Sequence, residues 1–204
     1  MKNYICINDQ KIELTEEQVK KILEAKNIEG IKLMAYAPGA TVKIGNFEMV
    51  VLEQLDGQTA LILKGLYGED TEYSEKNNNY DGSYVDEKCQ QFAQELAEIV
   101  GWENIVLHQV DLTTDDGLKD YGVVERRASL ITADMYRKFV EILDSVNPKA
   151  WWWLATAHST KRHENDAWAK CVSPSGCIYG SYGDGGGGGV RPFCILKSTI
   201  FVSE

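Results

Sequence analysis

The chain has 204 residues, of which 44% are hydrophobic and 25% are charged, and its formal net charge is −10. This composition is ordinary for a globular protein, and the length is sufficient to bury a substantial core. The acidic balance, without a long basic run, argues against nucleic acid as a partner, because nucleic-acid binding relies on Lys and Arg to neutralise phosphates.

No apolar run approaches the ~20 residues that a membrane-spanning helix requires. The start of the chain, Met1 to Tyr4, lacks the apolar segment of a signal peptide. We therefore expect cytoplasmic synthesis and no membrane span. The cysteines are odd in number and lack disulfide-framework spacing, which favours buried free thiols. They are Cys6, Cys89, Cys171, Cys177 and Cys194.

The first residues predict a small unit of their own. Apolar and polar residues alternate around a turn in residues 4–14, which predicts a β-hairpin. Thr15 stands three positions before Gln18, a capping-box pattern that predicts the start of a helix. We treat residues 1–31 as a hairpin–helix appendage and residues 32–204 as the main domain.

The main domain combines predicted strands with two predicted helices. Strands are expected at 42–44, 47–52, 59–63, 105–110, 168–173, 177–179, 190–196 and 200–202. Asp56-Gly57, between two apolar runs, is the strongest hairpin signal. One helix is predicted from about Ser83 to Gly101, and another is capped by Thr132. We expect Tyr136, Phe139, Val140 and Leu143 to share one face of that second helix. The result is an α+β plan, with twisted, mostly antiparallel sheets, two flanking helices and long irregular loops.

Three consecutive tryptophans mark the centre of this plan. Side chains alternate along a strand, so Trp151 and Trp153 share one face and Trp152 lies on the other. A strand with large rings on both faces must be covered twice. We therefore predict that it is the central strand of the core.

Neither acidic nor imidazole side chains suggest a metal centre. The acidic stretch 111–122 lacks the ligand alternation and the closing Glu of an EF-hand loop, which favours solvated carboxylates. His108, His158 and His163 have no carboxylate partner at ligand spacing. No metal and no cofactor are predicted.

Two further features near the end of the chain favour structural roles. The glycine run 185–189 lacks the Lys-Ser/Thr and the helix of a phosphate loop, so we expect it to permit unusual backbone angles in a long loop. Arg191 lies between Val190 and Pro192 in an apolar segment. We expect its forked donors to bind loop carbonyls or a carboxylate.

The last third of the chain resembles a C-type-lectin-like domain. The resemblance rests on Trp152-Trp153-Leu154, on Val172-Ser173-Pro174-Ser175-Gly176, and on Gly189-Val190-Arg191-Pro192 before an apolar strand. Within that fold, the chain resembles the branch shared by formylglycine-generating enzymes and the variable proteins of diversity-generating retroelements. The nearest resemblance is to a prophage-associated family ending in Gly-Val-Arg-Pro. That family continues Trp-Trp-Leu-Arg-Ser-Pro where this chain has Ala155-Thr156-Ala157. The resemblance covers roughly residues 33–202 and implies a C-type-lectin-like fold.

Residues 155–189 have the composition of a displayed binding surface. Tyrosine gives rigid amphipathic contact while Ser, Gly and Asn adapt, as in antibody paratopes. The candidate ligand-binding residues are Ala155, Ala157, His158, Ser159, Thr160, His163, Asn165, Asp166, Ala167, Ala169, Tyr179, Ser181, Tyr182 and Asp184. A merely irregular solvent loop remains the alternative.

The resemblance implies that this surface is diversified. Retroelement mutagenesis changes adenines, chiefly in Asn codons, and cannot produce Lys, Glu, Gln, Met or Trp through the first two bases. None of those types occurs from Ile178 to Gly189. Lys161, Glu164, Trp168 and Lys170 would have to be fixed positions.

We therefore predict a receptor-recognition protein rather than an enzyme. Its partner is a protein or surface ligand, bound through residues 155–169 and 178–188. The resemblance implies a phage or prophage variable protein, associated with a virion or displayed through a partner, and the oligomeric state is open. One alternative is an oxidase of the formylglycine-generating type, in which Cys171 and Cys177 would be the reactive pair. Another is a non-diversified structural component of a phage or cell surface.

Overall fold

The computed structural model describes residues 4–7, 10–13, 15, 30–184 and 187–203. Its strands are β1 (Tyr4–Ile7), β2 (Gln10–Glu13), β3 (Ile31–Lys32), β4 (Thr41–Ile44), β5 (Phe47–Leu55), β6 (Gln58–Leu63), β7 (Ile105–Val106), β8 (His108–Asp111), β9 (Val123–Arg126), β10 (Ala128–Ser129), β11 (Trp152–Ala157), β12 (Trp168–Val172), β13 (Ile178–Tyr182), β14 (Phe193–Lys197) and β15 (Phe201–Val202). Its helices are α1 (Tyr84–Val100), α2 (Ala133–Lys138) and α3 (Val140–Ser145), with 3-10 turns at Leu33–Ala35, Trp102–Asn104 and Lys161–His163. Strand pairing is mostly antiparallel, so the fold belongs to the predicted α+β class.

The predicted N-terminal hairpin is confirmed. β1 and β2 pair antiparallel, with Ile5 opposite Ile12. The helix predicted after Thr15 lies outside the described residues. Further along, β3 pairs with β15, which joins the beginning of the main domain to its last strand.

The larger sheet has the strand order β10-β14-β6-β5-β4, and β7 also pairs with β14. β5 and β6 form the predicted hairpin around Asp56-Gly57, where Gly57 takes the positive φ of 67° that this turn requires. Residues on β5 alternate between two buried clusters. Met49 and Val51 pack with Phe92 and Leu96 of α1, on one face of the sheet.

The opposite face of the larger sheet is covered by α2, α3 and β11. Val50 of β5 packs with Tyr136, Leu143 and Trp152 in a second buried cluster. A third cluster joins Trp153 to other aromatic and apolar side chains. Trp152 and Trp153 therefore lie on opposite faces and in different clusters, as the alternation predicts.

The prediction that β11 is a central strand needs a correction. β11, β12 and β13 form a separate three-stranded sheet in which β11 is the first strand. On its other side, Trp153 N–H donates to Gly189 O (3.0 Å) and Ala155 N–H donates to Ile131 O (2.9 Å). Both faces of β11 are covered. On this edge, however, its backbone N–H groups bond to residues outside any strand rather than to a neighbouring strand.

The predicted N-caps of the two helices are confirmed. The Ser83 side chain caps α1 by accepting from Asp86 N–H, and Thr132 caps α2 by accepting from Met135 N–H. Gly101 ends α1 with a φ of 83°. In the described parts of the chain, no helix is both long enough and apolar enough to cross a membrane.

Two predicted elements are broken in the structure. The helix after Thr132 is interrupted at Phe139, where φ is −109° and ψ is 19°, so it forms α2 and α3. Because of this break Val140 is exposed instead of sharing the buried face. The predicted strand 105–110 divides at the exposed Leu107, because β7 pairs with β14 whereas β8 pairs with β9.

Candidate functional site

The hairpin of β12 and β13 carries two exposed candidate residues, Tyr179 and Tyr182. Tyr179 is 50% exposed and Tyr182 is 53% exposed, and the two rings lie on opposite faces of β13 because three positions separate them. The Tyr179 ring contacts Trp151 edge-on at 5.5 Å between centroids. The Tyr182 ring lies 4.4 Å from Trp168. Each exposed tyrosine therefore rests on a tryptophan.

Other candidates also reach the surface. His163, Ala167 and Asp184 are exposed, whereas His158, Asn165, Asp166 and Ser181 are half-buried. These side chains come from the loop 158–167 and from the end of the β12–β13 hairpin. The structure thus brings part of the predicted surface together at one end of the small sheet.

Five of the candidates are not displayed, which corrects the sequence-based expectation. Ala155, Ala157, Ser159, Thr160 and Ala169 are all buried. Ala155 and Ala169 point into the third core cluster, beside Trp153. In the sequence, the small side chains of the alanines indicate a displayed surface. In the structure they are buried, and their small size allows β11 to pack closely on β12.

The loop that holds Ser159 and Thr160 is braced by the acidic stretch. Ser159 Oγ donates to Asp116 Oδ2 (2.6 Å), and Thr160 Oγ1 donates to Asp120 Oδ2 (2.8 Å). His163 Nδ1 lies 2.8 Å from Asp116 Oδ2. Hydrogen bonds from Ser159, which contributes most, and from Thr114 and His163 hold the pKa of the Asp116 carboxyl well below its usual range. The expectation that the acidic stretch is simply solvated is wrong, because two of its carboxylates hold this loop.

Asn78 also holds the loop 158–167, through hydrogen bonds from its side chain. Sequence reasoning did not identify this residue. It is fully buried, and its amide nitrogen donates to Ser159 O (3.0 Å) and Trp168 O (2.7 Å). Tyr121 Oη donates to Asn78 Oδ1 (2.7 Å). The polar run around Asn78 predicted only a loop, since nothing local shows which amide is buried.

An open cavity of about 250 Å³ lies beside Tyr179. It is lined by Trp151, Trp153, Cys171, Tyr179, Gly180, Ser181, Gly187 and Gly188, none of which carries a charge. Trp151 is 45% exposed and forms a wall of the cavity, whereas Trp153 is 2% exposed. Sequence reasoning placed both rings on one face but did not find this cavity.

Gly188 and Gly189 allow close packing at the cavity wall. A Cβ at Gly188 would lie 2.8 Å from Trp153 Nε1, and a Cβ at Gly189 would lie 2.4 Å from Leu66 Cδ1. Neither glycine has a positive φ. For Gly187, Gly188 and Gly189 the expectation of unusual backbone angles is therefore wrong, and close contact is the reason for glycine.

Arg191 fixes the segment that follows. Its Nε donates to Leu63 O (2.8 Å), and its Nη2 donates to Val146 O (3.1 Å) and more weakly to Lys64 O (3.3 Å). The guanidinium also lies over the Trp152 ring at 5.1 Å. Burial lowers its pKa to about 10. The predicted bonds to loop carbonyls are confirmed.

The two cysteines of the enzyme alternative differ in environment. Cys171 is buried, and burial raises the pKa of its thiol to about 11. Cys177 is exposed at the hairpin turn. A raised pKa disfavours the thiolate that oxidase chemistry requires. Within the described residues, no group of three or more His, Cys, Asp or Glu side chains is arranged to hold a metal ion.

Comparison of the chain with protein-family models, curated proteins and solved structures found no match. The functional argument therefore rests on the geometry of the small sheet and its loops.

Proposed function

We propose that this chain is a ligand-binding, receptor-recognition protein built on a C-type-lectin-like scaffold. The observation that carries the proposal is the pair of half-exposed tyrosines on a hairpin whose neighbouring loop is fastened by Asp116, Asp120 and Asn78. Such an arrangement presents rigid aromatic contacts at low entropic cost, because the supporting loop is ordered before the ligand arrives.

The recognition surface of this proposal comprises the candidates that reach solvent. They are His158, His163, Asn165, Asp166, Ala167, Tyr179, Ser181, Tyr182 and Asp184. Its ligand is a protein or another surface-exposed molecule, and binding rather than catalysis is its activity. We further propose that the chain is a variable protein of a diversity-generating retroelement, presented on a virion or through a partner.

The neighbouring DNA tests the retroelement proposal. We expect a reverse-transcriptase gene and a second copy of the segment that encodes residues 155–190, differing from the first at adenines. Differences should fall on codons for surface residues such as Tyr179, Ser181 and Tyr182. Codons for Cys171 and Val172 should be the same in both copies, because those side chains are buried. A complete genome without the reverse transcriptase and the second copy would refute this proposal.

A further inference from the structure

We propose that the ligand of this surface is an extended polypeptide segment. It pairs with the outer edge of β13 and inserts one uncharged aromatic side chain into the cavity between Trp151 and Tyr179. This inference rests on the proposed function and adds to it the chemical class of the ligand and the mode of binding.

The first step concerns the backbone of β13, the last strand of the sheet β11-β12-β13. Ser173 N–H donates to Cys177 O (2.9 Å) at one end of the β12–β13 pair, and Gly183 N–H donates to Ala167 O (2.8 Å) at the other. Hydrogen-bonded and non-hydrogen-bonded pairs alternate along an antiparallel ladder. Between these two ends, the β13 residues whose backbone groups bond to β12 are therefore Tyr179 and Ser181.

The remaining residues of β13 direct their backbone groups away from β12. These are Ile178, Gly180 and Tyr182, each with one N–H and one C=O. In the described part of the chain these groups make no other backbone hydrogen bond. A strand edge of this kind is a ready template for the backbone of another chain.

The edge also lacks the devices that prevent such pairing. Natural sheets protect their edges with charged side chains, proline or bulges, whereas β13 has the sequence Ile-Tyr-Gly-Ser-Tyr and pairs regularly with β12. Gly180, at its centre, has no side chain to obstruct an approaching backbone. The exposed edge of β13 is therefore accessible to a strand.

The cavity adds side-chain selectivity at the same place. Tyr179 and Ser181 project to the cavity face of β13, and Gly180 completes that wall. The volume of about 250 Å³ is suited to a single side chain rather than a folded element. With no charged residue in the lining, a charged side chain would lose its hydration without gaining a partner.

Ring geometry favours an aromatic occupant. Trp151 and Tyr179 already meet at an interplanar angle of 67°, and a third ring can add further edge-to-face contacts. The Ser181 hydroxyl, which has no hydrogen-bond partner in the described residues, is available to a phenol or an indole N–H. Tyrosine and tryptophan are the best-matched side chains.

The test begins with selection of a random linear heptapeptide library on the intact protein. We expect enrichment of one aromatic residue flanked by β-branched residues, which favour extended backbone. Synthetic copies of a selected peptide are then N-methylated at alternate amides. Methylation of one alternate set should abolish binding, and methylation of the other set should not, because only one set faces β13.

Matched variants locate the binding site. Tyr179→Ala and Trp151→Ala should each weaken peptide binding on the order of tenfold or more, as truncation of aromatic contacts does. The controls are Tyr84→Ala and Trp102→Ala, which remove comparably exposed rings elsewhere and should leave the affinity unchanged. Amide protons of Gly180 and Tyr182 should gain protection from hydrogen exchange when peptide is bound.

Other outcomes separate this inference from the proposed function. Binding that depends on Tyr182 or Ala167 but not on Tyr179, Trp151 or peptide N–H groups would overturn strand pairing and retain the recognition surface. Binding insensitive to changes at all nine surface residues would overturn both proposals. Self-association that Tyr179→Ala abolishes would assign the edge to a second copy of this chain and overturn the peptide ligand.

Discussion

Trp151 and Trp153 differ in exposure although they have the same orientation along the strand. Trp153 is almost completely buried, contacts Tyr73 edge-on at 5.4 Å and donates from Nε1 to Thr71 O (2.9 Å). Trp151 precedes β11 and remains half exposed at the cavity. At the scale of residues, alternation predicts which face a side chain takes but not whether that face is covered.

Trp153→Ala should lower the free energy of unfolding by about 3–5 kcal/mol, because it leaves a cavity and removes the hydrogen bond from Trp153 Nε1 to Thr71 O. Trp151→Ala should cost about 1 kcal/mol or less, because its ring is already half in solvent. Denaturant titration of both variants measures the difference. Equal losses would show that the two rings are equally buried and would contradict the exposed cavity wall.

Thiol labelling should distinguish Cys177 from Cys171. In a Cys6→Ser background at neutral pH, Cys177 should react rapidly because it is exposed. Cys171 should react only after denaturant is added, because burial both restricts access and raises its thiol pKa to about 11. Adding Cys177→Ser should remove the rapid phase. Rapid labelling of Cys171 in the native protein would instead favour the oxidase alternative.

At the scale of elements, the loop 158–167 depends on a stretch far away in sequence. Asp116 accepts from Ser159, which is 43 residues away, and Asn78 reaches Trp168 O across 90 residues. Each of these hydrogen bonds joins a charged or amide side chain to a segment that has little secondary structure of its own. The order of the proposed recognition surface therefore depends on these hydrogen bonds.

The contribution of Asp116 should disappear in acid. Because its pKa is lowered in the folded protein, its stabilisation is complete above the ordinary value of 3.8 and is lost as pH falls towards the folded pKa. Asp116→Asn should therefore be less stable than wild type at about pH 6, and the gap should narrow at about pH 3. Denaturant midpoints at both pH values measure this gap.

Asp184→Asn is the control for this measurement, because Asp184 is exposed and its carboxyl makes no hydrogen bond or ion pair in the described structure. It should show little difference from wild type at either pH. A gap between Asp116→Asn and wild type that stays constant with pH would mean that the Asp116 charge does not hold the loop.

At the scale of the whole molecule, three buried clusters carry the fold and exclude the exposed candidates. The larger sheet is covered by α1 on one face and by α2, α3 and β11 on the other. The third cluster contains Trp153. None of them includes Tyr179, Ser181 or Tyr182 among its buried residues. The residues of the proposed recognition surface are thus different from those that stabilise the fold.

A library randomised at surface positions should largely remain folded, because surface changes usually cost within about 0.5 kcal/mol each. The positions are His158, Asn165, Tyr179, Ser181 and Tyr182. A control library randomised at Trp153, Ala155, Ala169 and Cys171 should mostly fail to fold. Resistance to proteolysis measures the folded fraction of each. Similar losses in both libraries would show that the first set is also core.

The sequence by itself determined the α+β class, the hairpin at Asp56-Gly57, the caps at Ser83 and Thr132, and the two-faced strand of tryptophans. These features follow from turn chemistry, capping and side-chain period, which act over a few neighbouring residues. The tertiary structure alone decided that Ala155 is buried and that Trp151 is exposed. It alone also brought Asp116 to Ser159, Arg191 to the Leu63 carbonyl, and the tryptophans to the cavity. Each of these outcomes depends on which distant segments pack together. The pattern of neighbouring residues in the sequence does not specify those contacts.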